Sequence, residues 1–169
     1  MTDTLTSPPR SATSRRGLVG LAVSLGLVAV VAAVGGAVTS GAVPEWYDTL
    51  PLPTWAPPRW LFGPVWSALY LAMAVAAWLV WRRDGLAGAR GPLALYGVQL
   101  ALNLGWSLVF FGLRAPLLGL LEILLLDIAV AATLVAFGRR DRVAGLLLAP
   151  YLAWALFATA LNAAIVLGG

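Results

Sequence analysis

Long apolar runs, separated by short polar or proline-rich stretches, set the pattern of this chain. A helix rises about 1.5 Å per residue, so about 20 apolar residues are needed to cross a hydrocarbon core of about 30 Å. Five runs approach or exceed that length, at about 17–40, 64–81, 92–111, 116–138 and 143–167. The pattern predicts an all-α membrane protein, a bundle of five transmembrane helices with its two ends on opposite sides of the bilayer. Pro64, Pro92 and Pro116 stand at the starts of the second, third and fourth runs. There the missing N–H costs nothing and the fixed φ suits a first helical turn. Residues 1–16, rich in Ser, Thr and Pro up to residue 14, read as a disordered N-terminal tail, and residues 17–169 as one transmembrane domain without internal repeats. The long connection at 41–63 reads as a lid over one end of the bundle.

Composition agrees. The chain is 61% hydrophobic and 11% charged, against about 25% charged residues in soluble domains. With neither cysteine nor histidine, it has no thiolate or imidazole metal site, no Cys or His nucleophile, no disulfide and no histidine-ligated haem. The net charge of +4 rests on arginine alone, since lysine is absent. Arg10, Arg15, Arg16, Arg82, Arg83, Arg90, Arg139, Arg140 and Arg142 fall on one side of the five spans, and only Arg59 and Arg114 on the other. Cationic residues concentrate on the cytoplasmic side, so the N-terminus reads as cytoplasmic and the C-terminus as outside, as for insertion into a bacterial plasma membrane. Charge spread in this way orients a protein and makes no basic face for nucleic acid. Ser14-Arg15-Arg16-Gly17-Leu18 followed by an apolar run resembles an export signal. That run exceeds the 7–15 residues of a usual signal core, so it reads as a retained helix.

Candidate binding chemistry gathers in three places. Residues 51–70 set Trp55, Trp60, Phe62, Trp66 and Tyr70 among five prolines at the mouth of the second helix. Aromatic faces on a stiff backbone suit a flat apolar ligand, although Trp and Tyr also collect at bilayer interfaces for their amphipathic rings alone. On the third helix Gln99, Asn103 and Ser107 form one stripe, and Gly97, Ala101 and Gly105 another about 200° away. Polar groups avoid lipid and small residues admit a close neighbour, which suggests an inward pocket and an outward partner helix. On the fifth helix Tyr151, Trp154, Ala158 and Asn162 share a face, and Pro150 is expected to bend the helix. Trp78 and Trp81 read as an interfacial belt. Glu122 and Asp127 lie about 140° apart around the fourth helix and make no acid–base couple. Asp127 suits either proton handling or a hydrogen bond that joins helices.

The chain resembles the tryptophan-rich sensory protein and translocator protein family, TspO/MBR, also known as peripheral benzodiazepine receptors. The resemblance runs from about residue 20 to 167. It rests on Pro53-Thr54-Trp55-Ala56-Pro57-Pro58-Arg59-Trp60-Leu61-Phe62-Gly63-Pro64-Val65-Trp66, Gln99-Leu100-Ala101-Leu102-Asn103, Phe110-Phe111-Gly112, Pro150-Tyr151-Leu152-Ala153-Trp154 and Thr159-Ala160-Leu161-Asn162. It implies a five-helix homodimer with a pocket closed by the first loop, binding porphyrins, haem, sterols or benzodiazepine-like molecules without an obligatory cofactor. Position by position, the implied pocket holds Trp55, Trp60, Phe62, Trp66, Tyr70, Asn103, Trp154, Ala158 and Asn162. The implied function is ligand binding or sensing of tetrapyrroles. The alternatives are light-dependent breakdown of protoporphyrin IX and proton-coupled transport through Asp127. The chain departs from the family pattern at Thr54, where some relatives carry tryptophan, and at Asp127, usually aromatic or apolar. Leu108 replaces a common proline, so no kink is expected there. Residues Ala163 to Gly169 lack the tyrosine and basic residue of the animal sterol pattern.

Overall fold

The computed structural model describes residues 10–168, with side chains from Gly17 onward. The helices are α1 (Arg10–Glu45), α2 (Phe62–Gly88), α3 (Arg90–Ser107), α4 (Pro116–Gly138) and α5 (Arg142–Gly168), and no strand occurs among the described residues. All five are long and apolar enough to span a bilayer. The protein is an all-α integral membrane protein. Short 3-10 turns at Tyr47–Thr49 and Arg59–Leu61 shape the loop between α1 and α2.

The helices outrun the apolar runs that announced them. The backbone at 10–16, expected in the tail, already belongs to α1, while residues 1–9 lie outside the described residues. α2 continues past Trp81 through Arg82 and Arg83, because charged residues outside the hydrocarbon remain good helix formers. It breaks at Gly85, whose φ of 65° and ψ of 175° fit only a residue without Cβ at low cost. α5 stays helical through Pro150.

At the other end of α3 the helix widens. Leu108–Gly112 forms a π turn, with the Leu113 N–H donating to the Leu108 carbonyl at 2.9 Å. One wide turn shifts the register of everything after it. Here it buries both Phe110 and Phe111, which pack edge-to-face at 4.9 Å, and Trp106 stacks on Phe110 at 5.2 Å. Arg114 follows in the left-handed region (φ 54°) and pairs with Glu45 at the end of α1 at 3.3 Å.

α4 and α5 pack closest. A Cβ on Gly145 would sit 2.7 Å from the Gly138 Cα. The turn between them is capped by Asp141, whose Oδ1 accepts from the N–H groups of Val143 (2.9 Å) and Ala144 (3.1 Å).

α1 leans across the bundle. Its first half touches α2, where the Trp78 Nε1 donates to the Gly17 carbonyl at 2.8 Å and a Cβ on Gly20 would lie 3.3 Å from Trp81. Its second half touches the end of α3, where a Cβ on Gly35 would lie 3.4 Å from the Ser107 Oγ and one on Gly112 would lie 3.4 Å from the Val38 side chain. Trp78 and Trp81 therefore clamp α1, beyond the interfacial belt expected of them. The Arg82 guanidinium lies 4.5 Å over the Trp78 ring.

Candidate ligand-binding cavity

The lean of α1 leaves a cavity of about 790 Å³ between α1, α2, α5 and the end of α3, beneath the first loop. Its α1 wall follows a helical stripe of small side chains, with Ala29, Ala32, Gly36 and Ser40 among them. The facing wall is aromatic: Phe62, Trp66 and Tyr70 from α2, Trp154 from α5, Trp106 and Phe111 from α3 and its π turn, and Tyr47 from the loop. Ala158 lies beside Trp154. A wall of mostly small side chains, with Leu25 and Val28 at one end and Val43 and Pro44 at the other, thus opposes a set of rings. The rings brace one another, Trp66 against Tyr70 at 5.4 Å, Trp66 against Tyr151 at 6.1 Å and Phe62 edge-on to Trp154 at 6.1 Å. At the rim Arg59 pairs with Asp48 at 2.6 Å.

Behind the aromatic wall runs a chain of hydrogen bonds. The Tyr70 hydroxyl donates to Asn103 Oδ1 at 2.7 Å, and Asn103 Nδ2 donates to the Tyr151 hydroxyl at 3.1 Å. Asn103 faces inward, as its stripe predicts, but its amide is engaged with two phenols and forms no part of the cavity lining. Gln99 is also buried, its Nε2 3.9 Å from the Met73 sulfur and its Oε1 without a partner. Asn162 is buried against the first turn of α4. Oriented to satisfy both halves of its amide, it donates to the Pro116 carbonyl at 3.0 Å and accepts from the Leu120 N–H at 2.9 Å.

Of the residues expected at the site, Phe62, Trp66, Tyr70, Trp154 and Ala158 therefore meet around one space, while Gln99, Asn103 and Asn162 lie buried outside its lining. Trp55 and Trp60 are not on the cavity wall. Trp55, 49% exposed, packs edge-on to Phe157 at 5.7 Å, and Trp60 is 71% exposed. Sequence reasoning missed Tyr47, Trp106, Phe111 and the α1 stripe. Only the stripe left a clear trace, as small residues recurring at three- and four-residue spacing from Ala29 to Ser40.

The Tyr47 hydroxyl and the Trp106 Nε1, both buried, have no partner among the described residues. The carboxylates of α4 lie away from the cavity. Asp127 Oδ2 accepts from the Thr159 hydroxyl at 2.7 Å, a bond that joins α4 to α5, and both Glu122 oxygens are buried without a partner. The small-residue stripe of α3 divides. Gly97 and Ala101 are exposed on the outer surface, whereas Gly105 faces Glu122, whose Oε1 would lie 3.3 Å from an added Cβ. Among the described residues no group of three His, Cys, Asp or Glu side chains could hold a metal ion. The arrangement is suited to gripping a flat, largely apolar body, and its volume falls within the range of about 300–1,000 Å³ common for small-molecule sites.

Residues 24–167 match the TspO/MBR family model. The tryptophan-rich protein TspO of Chlorobaculum tepidum is 41% identical over 150 residues, covering 86% of this chain and 93% of the relative. The human translocator protein is 45% identical over 131 residues (76% and 78% of the two chains). The tryptophan-rich sensory protein of Cereibacter sphaeroides is 44% identical over 135 residues (78% and 84%). Five membrane-spanning helices around an aromatic cavity, with sequence similarity carried through nearly all of them, make the chain a member of the TspO/MBR family.

Proposed function

We propose that this membrane protein binds porphyrins, protoporphyrin IX and haem among them, together with related planar apolar ligands, and that it senses tetrapyrroles through that binding. The observation that carries the reading is the cavity itself, in which an α1 wall of mostly small side chains faces Phe62, Trp66 and Trp154. A macrocycle placed there stacks on rings whose positions are fixed by their neighbours, so little side-chain freedom is lost on binding. Arg59 at the rim is placed to exchange its pairing with Asp48 for a ligand carboxylate. Haem would be held by its macrocycle, since the chain offers neither histidine nor cysteine to its iron. The names of the relatives, sensory protein and translocator protein, are in keeping with a small-molecule role.

Titration of the detergent-purified protein with protoporphyrin IX is expected to quench tryptophan fluorescence saturably. Phe62→Ala keeps every tryptophan and removes one wall of the slot, so it is expected to weaken binding about tenfold, the equivalent of about 1.4 kcal/mol. Unsaturable quenching, or quenching indifferent to Phe62→Ala and Trp154→Phe, would reject the reading.

The same reading takes the arginine-rich face as cytoplasmic and the first loop as lying outside a plasma membrane, supported by the arginine count on each side of the spans. It takes the assembly as a homodimer joined through α3, supported by the exposure of Gly97 and Ala101.

A further inference from the structure

The first loop does not cover every side of the cavity. α1 is fastened to α2 at the arginine-rich end, by the Trp78–Gly17 hydrogen bond and the packing of Gly20 on Trp81. At the loop end it is fastened instead to the α3 side, by Gly35 on Ser107, Val38 on Gly112 and the Glu45–Arg114 ion pair. Two helices joined at one end and drawn apart at the other leave a slit. The residues along it line the cavity and are themselves exposed: Gly36 and Ser40 on α1, and Gly63, Ser67 and Leu71 on α2.

Among the described residues nothing closes this slit. A Cβ added to Gly36 or Gly63 would meet no atom within 4 Å. The hydroxyls at its edges turn back onto their own helices, Ser40 donating to the Ala37 carbonyl at 3.1 Å and Ser67 to the Gly63 carbonyl at 2.9 Å. Such bonds satisfy a hydroxyl that faces lipid, and they leave none to span the gap. Ser40 lies five residues before the end of α1 at Glu45, and Ser67 five residues after the start of α2 at Phe62. Both are therefore about 7.5 Å below the ends of their helices. The slit runs on from there past Gly36 and Leu71, each nine residues inside its helix and so about 13.5 Å below its end, where a membrane span meets lipid tails.

We propose that ligands reach and leave the cavity sideways, from the bilayer, through the slit between α1 and α2, so that the ligands served are planar amphiphiles already dissolved in the membrane. This rests on the ligand-binding reading above. The route from water is obstructed by the Arg59–Asp48 pair and by Tyr47 packed edge-on to Phe62 at 6.2 Å, whereas the lateral route passes Gly36, Ser40, Gly63, Ser67 and Leu71 and requires no charge to be uncovered.

The absence of cysteine makes the test direct. The Ser40→Cys/Ser67→Cys protein, reconstituted in liposomes, carries two thiols at the edges of the slit, and thiosulfonate cross-linkers of graded length can tie them. Protoporphyrin IX exchange between these liposomes and empty ones is followed by tryptophan quenching. Linking is expected to slow both loading and release at least tenfold, and reduction to restore them. Unchanged rates in protein shown by mass to be linked would overturn the proposal. A second measurement needs neither linking nor porphyrin: nitroxides attached singly at positions 40 and 67 are expected to collide more with oxygen than with a water-soluble nickel chelate. The reverse preference would also overturn it. Failure of the unmodified protein to bind porphyrin would count against the binding reading alone, with the nitroxides still reporting on the slit.

Discussion

Asn103 supports two of the rings around the cavity by satisfying both with one amide. Its Oδ1 accepts from Tyr70 and its Nδ2 donates to Tyr151, deep between α2, α3 and α5. Asn103→Leu fills a similar volume but leaves two phenols without their partner, and each buried orphan costs about 1–3 kcal/mol. The variant is expected to lose about 2–4 kcal/mol of stability, read as an earlier thermal transition in detergent by circular dichroism. Gln99→Leu on the same stripe sacrifices only a 3.9 Å contact to sulfur and removes an unpartnered oxygen. It is expected to remain within about 1 kcal/mol of the parent. Equal losses in the two variants would contradict this account. Helical spacing told which way these amides face and no more. Whether an inward amide meets a cavity or another side chain depends on the residues opposite, which periodicity on one helix does not contain. The tryptophans of the loop were less legible still, since a chain without regular period has no inside and outside to read. Trp55 and Trp60 stand outside the cavity wall, and Tyr47, with nothing to distinguish it in the sequence, lines it.

At the scale of elements, the seam between α4 and α5 depends on two glycines. Gly145→Ala would place a methyl group 2.7 Å from the Gly138 Cα and 3.2 Å from the Leu134 carbonyl, both backbone atoms that cannot step aside. The helices must separate along the seam, with an expected loss of about 2–4 kcal/mol, within the range seen for overpacked cores. Gly26→Ala, at a site where an added Cβ meets nothing within 4 Å, is expected to be neutral or slightly stabilising. Thermal unfolding of the pair distinguishes them, and a Gly145→Ala protein as stable as its parent would refute the packing argument. Element existence was plain from hydropathy, and Pro116 marked the start of α4 to the residue. Ends placed by hydropathy fell short where a helix continues into water, as α2 does past Arg83, because apolar character stops at the membrane surface and backbone hydrogen bonding does not. The π turn left no mark of that kind. It follows from the packing of Phe110 and Phe111 against Trp106 and the loop, a tertiary demand on a stretch that is locally an ordinary helix.

For the whole molecule, hydropathy gave the number of spans, and the arginine distribution gave a reading of their orientation. The lean of α1, which creates the cavity, was beyond both. It arises from where glycine lets α1 come close to a neighbour, at its own Gly20 against Trp81 of α2 at one end, and at its own Gly35 and Gly112 of the π turn at the other. The proposed dimer is likewise a matter of the whole surface. Ala101→Trp places a large ring on the exposed face of α3, opposite the cavity side, and is expected to halve the mass measured by light scattering while leaving porphyrin quenching intact. A parent protein that is already monomeric, or a variant of unchanged mass, would refute assembly through α3.

A pocket that opens onto a membrane is surrounded by a great excess of hydrocarbon chains, any of which could fill it. The walls themselves supply a means of refusal. Rings braced against one another leave a space of set shape, and an acyl tail filling it gives up the torsional freedom it has among its neighbours. A rigid planar guest has no such freedom to lose. Stiffness thus lets the protein discriminate against the very solvent in which it is dissolved.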